Sequence, residues 1–179
     1  MGLVGERGLE RITLAEIGEA AGYSRGLPAH YFGGKDGLVI ALASHLIDTF
    51  GRALERSEHH RPGLERLLGM VAFYLDSAAK KPSATRALFV VLGEGLGNPL
   101  VTDHLAKLNA RSVKSIELSL RAAIAAGEAR ADIDAKIQSV LILAGLRGAV
   151  GLWLLAPDVI DLGAVRDEFV ASLRRNLTR

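Results

Sequence analysis

Side chains able to do covalent chemistry are few and dispersed in this 179-residue chain. It has no cysteine, which excludes a disulfide framework, a thiolate metal site and a Cys nucleophile, and fits a reducing compartment. Its five histidines, His30, His45, His59, His60 and His104, are scattered. No Ser-His-Asp arrangement can be assigned, and neither a Glu-x-x-His pair nor a phosphate-cradling loop occurs. Glycines 93, 95 and 97 invite a nucleotide reading, but they follow no predicted strand. Enzymatic activity is therefore not expected, nor is a metal or an organic cofactor. What remains is recognition. Arg25 can offer a guanidinium to the O6 and N7 of a guanine, and Lys35 an ammonium to a phosphate. Taken alone, these cations read more readily as solvated surface charge, because Glu16, Glu19 and Asp36 offset them and the net charge is only +2.

The elements that must position these residues can be read between Ile12 and Leu38. Thr13 and Glu16 have capping-box spacing, with Ile12 and Ile17 placed as a hydrophobic staple, so a helix starts at Leu14. Leu14, Ile17 and Ala21 make it one-sided, and Gly22 can turn left-handed past its end. Ser24 is the next natural N-cap, which predicts a second short helix from Arg25 through His30, Tyr31 and Phe32, after a three-residue turn Gly22-Tyr23-Ser24. Pro28 falls near the first turn of that helix, where a local adjustment is expected. Two short helices joined this way form the helix-turn-helix pattern, whose second helix can enter a DNA major groove. A helical hairpin in an ordinary all-α domain has the same spacing.

At residue level, the stretch AEIGEAAGYSRGLPAHYFGGKDGL resembles the DNA-binding domain of TetR-family transcriptional regulators, with Ile17, Ala20, Ala21, Gly22, Ser24, Arg25, Gly26, Phe32, Lys35, Asp36 and Leu38 in the family's pattern. The resemblance implies an all-α chain: a helix-turn-helix domain over residues 1–50, its first helix reduced to a last turn at Leu3 and Val4, then a helical effector-binding and dimerisation domain over 51–179. It implies a homodimer that binds roughly palindromic double-stranded DNA and is released by a small-molecule effector, most commonly as a repressor. DNA contacts would come from Thr13, Ser24, Arg25, Gly26, Leu27, His30, Tyr31 and Lys35. Arg25 would read a base, Gly26 would admit the backbone and Leu27 would meet a thymine methyl. Thr13, His30, Tyr31 and Lys35 would hold phosphates. Family members often carry a phosphate-binding tyrosine where Ala29 stands, and His30 and Tyr31 would substitute for it. Packing beside Phe32 is an equal reading of Tyr31.

Beyond Leu38 the chain reads as helix after helix. Leu38, Leu42, Leu46, Phe50 and Leu54 repeat every four residues from Lys35 to about Arg56. Pro62 interrupts, and His59 and His60 read as a surface loop. Further helices are expected from Leu64 to Pro82, over Arg86–Gly95, over Pro99–Ala126, over Asp134–Ala156 and over Leu162–Leu177. The segment from Val140 to Ala156 is apolar, but Arg147 near its middle would be costly in lipid, so it reads as a buried helix. Its Gly145, Gly148 and Gly151 suggest close helix approach, or else room for a ligand. The last two helices suit an intersubunit four-helix bundle. Phe73, Tyr74, Phe89 and Trp153 are the candidate ligand-binding aromatics, for an apolar or amphipathic effector. With 49% hydrophobic and 23% charged residues the chain is globular. No secretory leader is visible, so a cytoplasmic location is expected. The competing class is a helical ligand-binding or scaffolding protein without DNA binding.

Overall fold

The computed structural model describes residues 2–55 and 61–178. These residues form α1 (Gly2–Arg7), α2 (Leu14–Ala20), α3 (Leu27–Phe32), α4 (Lys35–Glu55), α5 (Leu64–Lys80), α6 (Pro82–Glu94), α7 (Pro99–Ala125), α8 (Ala135–Leu155) and α9 (Leu162–Thr178). No strand occurs among them. The expected loop at His59 and His60 lies outside the described residues.

Helix ends follow local chemistry. Pro82 and Pro99 open α6 and α7, where a missing amide costs nothing because the first-turn amides lack helical partners. Asp134 caps α8 by accepting from the amides of Lys136 and Ile137 at 2.9 and 3.1 Å. The Glu128 carboxylate, from the turn after α7, accepts from the Leu64 amide at 2.8 Å and so caps α5 at long range.

The chain packs as two units. The first joins the first fifty residues to Lys81–Leu108; the second joins Gly51–Lys80 to Asn109–Arg179. In the first, Val4, Leu9, Ile12, Val39 and Ala43 are buried with Ala87 and Val91 of α6 and Val101, Leu105 and Leu108 of α7. Leu3 and Ile17 pack against this cluster, so the two staple residues share one apolar core. The helix-turn-helix thus rests on α6 and the front of α7 as well as on its own short helices. In the second unit, Leu67, Val71 and Leu75 of α5 are buried, as are Leu120 of α7, Ile142, Leu146 and Val150 of α8 and Leu173 and Leu177 of α9. Arg166 pairs with Asp76 at 2.6 Å and Arg174 with Glu65 at 2.6 Å, tying α9 to α5. Gly145 is a close-approach position: an added Cβ would lie 2.9 Å from the Phe169 ring of α9. At Gly148 a Cβ would meet nothing within 4 Å. The helix α8 is long and apolar enough to cross a membrane by length and composition.

Candidate nucleic-acid interface

The capping box forms as its spacing requires. The Thr13 amide donates to Glu16 Oε2 at 2.7 Å, and the Glu16 amide donates to Thr13 Oγ1 at 3.2 Å. These hydrogen bonds from Thr13, backbone first, hold the Glu16 carboxyl below the ordinary glutamate range. The Thr13 hydroxyl also donates to Glu16 Oε2, at 2.7 Å, so this expected phosphate contact already spends its proton on the cap.

α2 ends in a Schellman turn. The amide of Tyr23 donates to the Gly18 carbonyl at 2.8 Å and that of Gly22 to the Glu19 carbonyl at 3.0 Å. Gly22 takes φ of +77°, where its lack of a Cβ removes the steric penalty. Gly18 is held for another reason: a Cβ there would lie 2.6 Å from the Ser24 carbonyl oxygen and 3.1 Å from the Pro28 ring. Glycine at residue 18 is what lets the turn and α3 lie against α2.

The second helix departs from the sequence expectation. It begins at Leu27, with Gly26 as an N-cap that makes no side-chain bond, so Ser24 is not the helix cap and residues 21–26 separate the two helices instead of three. Pro28 is the cause. As the second helical residue it needs no amide partner; two residues deeper it would break an i to i−4 bond. The adjustment leaves Arg25 ahead of α3 rather than in its first turn.

The remaining expected contact residues, Ser24, Arg25, Gly26, Leu27, His30, Tyr31 and Lys35, are each exposed, while Pro28 between them in sequence is buried. The Arg25 side chain, 72% exposed, has its Nε 3.2 Å from Glu19 Oε1. Tyr31 packs edge-on against Phe32, with centroids 4.9 Å apart and planes at 82°, yet stays 78% exposed. Tyr23, which the sequence did not single out, lies in the turn at 63% exposure.

Of the four aromatics proposed for ligand binding, Phe73 and Tyr74 (α5) and Trp153 (α8) belong to the second unit and are partly buried, whereas Phe89 on α6 packs in the first. Tyr74 has a polar neighbour that sequence reasoning missed. Arg147, halfway along α8, donates from Nη2 to Asn109 Oδ1 of α7 at 2.7 Å and hydrogen-bonds Tyr74. Burial pushes the Tyr74 phenol up, and the Arg147 charge and hydrogen bond oppose that rise. The available signal was a lone arginine inside a strongly apolar helix. No group of three or more His, Asp or Glu suited to a metal ion occurs among the described residues.

An all-helical chain with an N-terminal helix-turn-helix and a larger helical unit is the architecture of a one-component transcriptional regulator. Residues 1–42 match the family described as bacterial regulatory proteins, tetR family, and residues 63–178 match the BetI-type transcriptional repressor C-terminal family. The HTH-type transcriptional regulator TtgR of Pseudomonas putida is 30% identical over 168 residues, covering 88% of this chain and 77% of that protein. A transcriptional regulator from Saccharomonospora viridis, solved in complex with choline, superposes with a TM-score of 0.86 at 18% identity, covering 98% of this chain and 92% of that one. The regulator FadR from Bacillus subtilis, solved with stearoyl-CoA, gives a TM-score of 0.76 at 16% identity over 96% of this chain and 91% of its own. The chain belongs to the TetR family of transcriptional regulators. Its relatives are regulators of transcription rather than enzymes.

Proposed function

We propose that this chain is a cytoplasmic repressor that binds a roughly palindromic operator as a homodimer and is released by a small-molecule effector. The observation that carries the reading is the shared exposure of Ser24, Arg25, Leu27, His30, Tyr31 and Lys35 on the turn, α3 and the start of α4, beside a core into which α2 and α4 pack through Ile17, Val39 and Ala43. Residues 1–50 supply the DNA-binding domain in this reading, and residues 51–179 the effector-binding and dimerisation domain. Arg25 reads a guanine, and Leu27 meets a thymine methyl. Tyr31, His30 and Lys35 hold phosphates. Dimerisation uses α8 and α9, and an effector sits in the second unit near Phe73, Tyr74 and Trp153. By preferring one spacing of the two recognition helices it shifts DNA affinity, by no more than its differential affinity for the two geometries.

The test is fluorescence anisotropy of the full chain with a duplex from its own upstream region and with a scrambled duplex, over a salt series. Selective binding with a steep salt slope supports the reading. Equal, weak binding to both duplexes would replace it with a helical ligand-binding protein that does not recognise DNA.

A further inference from the structure

Arg147 is placed where a cation is costly. It stands midway along the apolar helix α8, and its Nε is buried without a hydrogen-bond partner. Its hydrogen-bond partners are neutral: the Asn109 side-chain oxygen at 2.7 Å and the Tyr74 phenol. None of the ion pairs among the described residues includes it. A guanidinium carries five donors in a planar fork matched to a carboxylate, and a charge whose buried Nε edge is left open and whose partners are dipoles lacks a counterion there. An ammonium ligand brought to the same spot would meet like charge.

We propose that the cluster of Arg147, Asn109 and Tyr74 seats the anionic group of the effector, so that the ligand is a carboxylate with an apolar body rather than a quaternary ammonium. The inference rests on the effector site proposed above, and it separates this chain from the regulator of similar fold that was solved with choline. The carboxylate accepts from Nε and an adjacent Nη edge of Arg147, while the Tyr74 hydroxyl donates to its second oxygen. Asn109 holds the guanidinium in place from α7.

The experiment is isothermal titration of the full chain with two matched pairs, decanoate against decanol and benzoate against benzyl alcohol, and with choline. At least one carboxylate should bind at least tenfold more tightly than its alcohol, and choline should bind more weakly than that carboxylate. In Arg147→Met the carboxylate preference should vanish while binding of the alcohol persists. Arg147→Lys, which keeps the charge without the fork, should fall between and serves where the methionine variant does not fold. Neither carboxylate exceeding its alcohol, choline binding more tightly, or the preference surviving in both variants would overturn the proposal. Titration with no DNA present keeps this outcome separate from the operator test: loss of DNA recognition alone removes the repressor reading and leaves the carboxylate seat standing.

Discussion

The side-chain amide of Asn98 donates to the Asp36 carboxylate across 2.7 Å, while its own oxygen accepts from the Leu100 amide at 3.2 Å. One side chain therefore caps α7 and ties the turn before it to the first turn of α4, the helix that carries Lys35. A second tie lies near it. The Ser44 hydroxyl lies 3.0 Å from the Ile40 carbonyl oxygen and 2.8 Å from His104 Nε2, which joins α4 to α7.

Asn98→Ala should lose both the cap and the tie, costing about 1–2 kcal/mol in thermal or urea unfolding. Asn98→Asp keeps a cap acceptor but turns a carboxylate toward Asp36. It should unfold earlier than wild type at pH 7 in low salt, with the gap narrowing in about 0.5 M salt as like charges are screened. Equal stability of all three proteins would show that the contact contributes nothing.

The Thr13 and Glu16 pair makes a pH prediction of definite sign. Glu16 is held below its unfolded value, so its contribution is present above the ordinary glutamate pKa of about 4.3 and is lost as the pH falls through the lower folded value. Glu16→Gln should therefore flatten the fall in Tm on acidification below about pH 4.5, with little pH dependence of its effect above pH 6. Parallel acid profiles of the two proteins would assign the acid loss to other carboxylates.

Where helices stop was legible wherever the cause is a single residue. Pro99, Asp134, Gly22 and the Thr13 box each act within four positions of chain, and the ends they mark fall within a residue of the expected ones. The start of α3 was misread because two local signals compete, a possible Ser24 cap and a proline, and the proline's steric demand is the stronger. What sequence could not supply is which helix packs on which. Phe89 looks like any other aromatic of a helical domain until α6 is seen packed against α1. Arg147 likewise reads as a defect in an apolar helix until Asn109, 38 residues away, and Tyr74 are brought to it.

The division of labour at the proposed interface is measurable. Arg25 lies ahead of α3 and is oriented by Glu19. Arg25→Ala should cost about 1–3 kcal/mol at the preferred site and relax its base preference, whereas Lys35→Ala should weaken all duplexes similarly and lower the salt slope by about one. Because the Arg25 and Glu19 pair is exposed, Glu19→Gln should leave stability within about 0.5 kcal/mol of wild type. Anisotropy titrations on specific and random DNA separate the roles, and identical losses on both duplexes for both basic-residue variants would refute the assignment.

The apolar stripe of α8 makes the last prediction. Ile137, Val140, Leu141, Leu152 and Leu155 are all exposed, Leu155 at 85%, and with Ala144 and Gly148 they fall within about 120° of the helix circumference. A stripe this apolar is unusual on a surface facing only water, and it is self-complementary if a second copy of α8 packs across a two-fold axis. Leu141 and Leu152 are 57% and 61% exposed, so glutamate at either position should leave each chain folded while placing like charges face to face across the axis. Wild type should sediment as a dimer and Leu141→Glu with Leu152→Glu as a monomer at the same concentration, with unchanged helical circular dichroism. The double variant should also lose most of its operator affinity, because two half-site contacts would no longer be linked. A variant that remains dimeric would move the interface away from this face of α8.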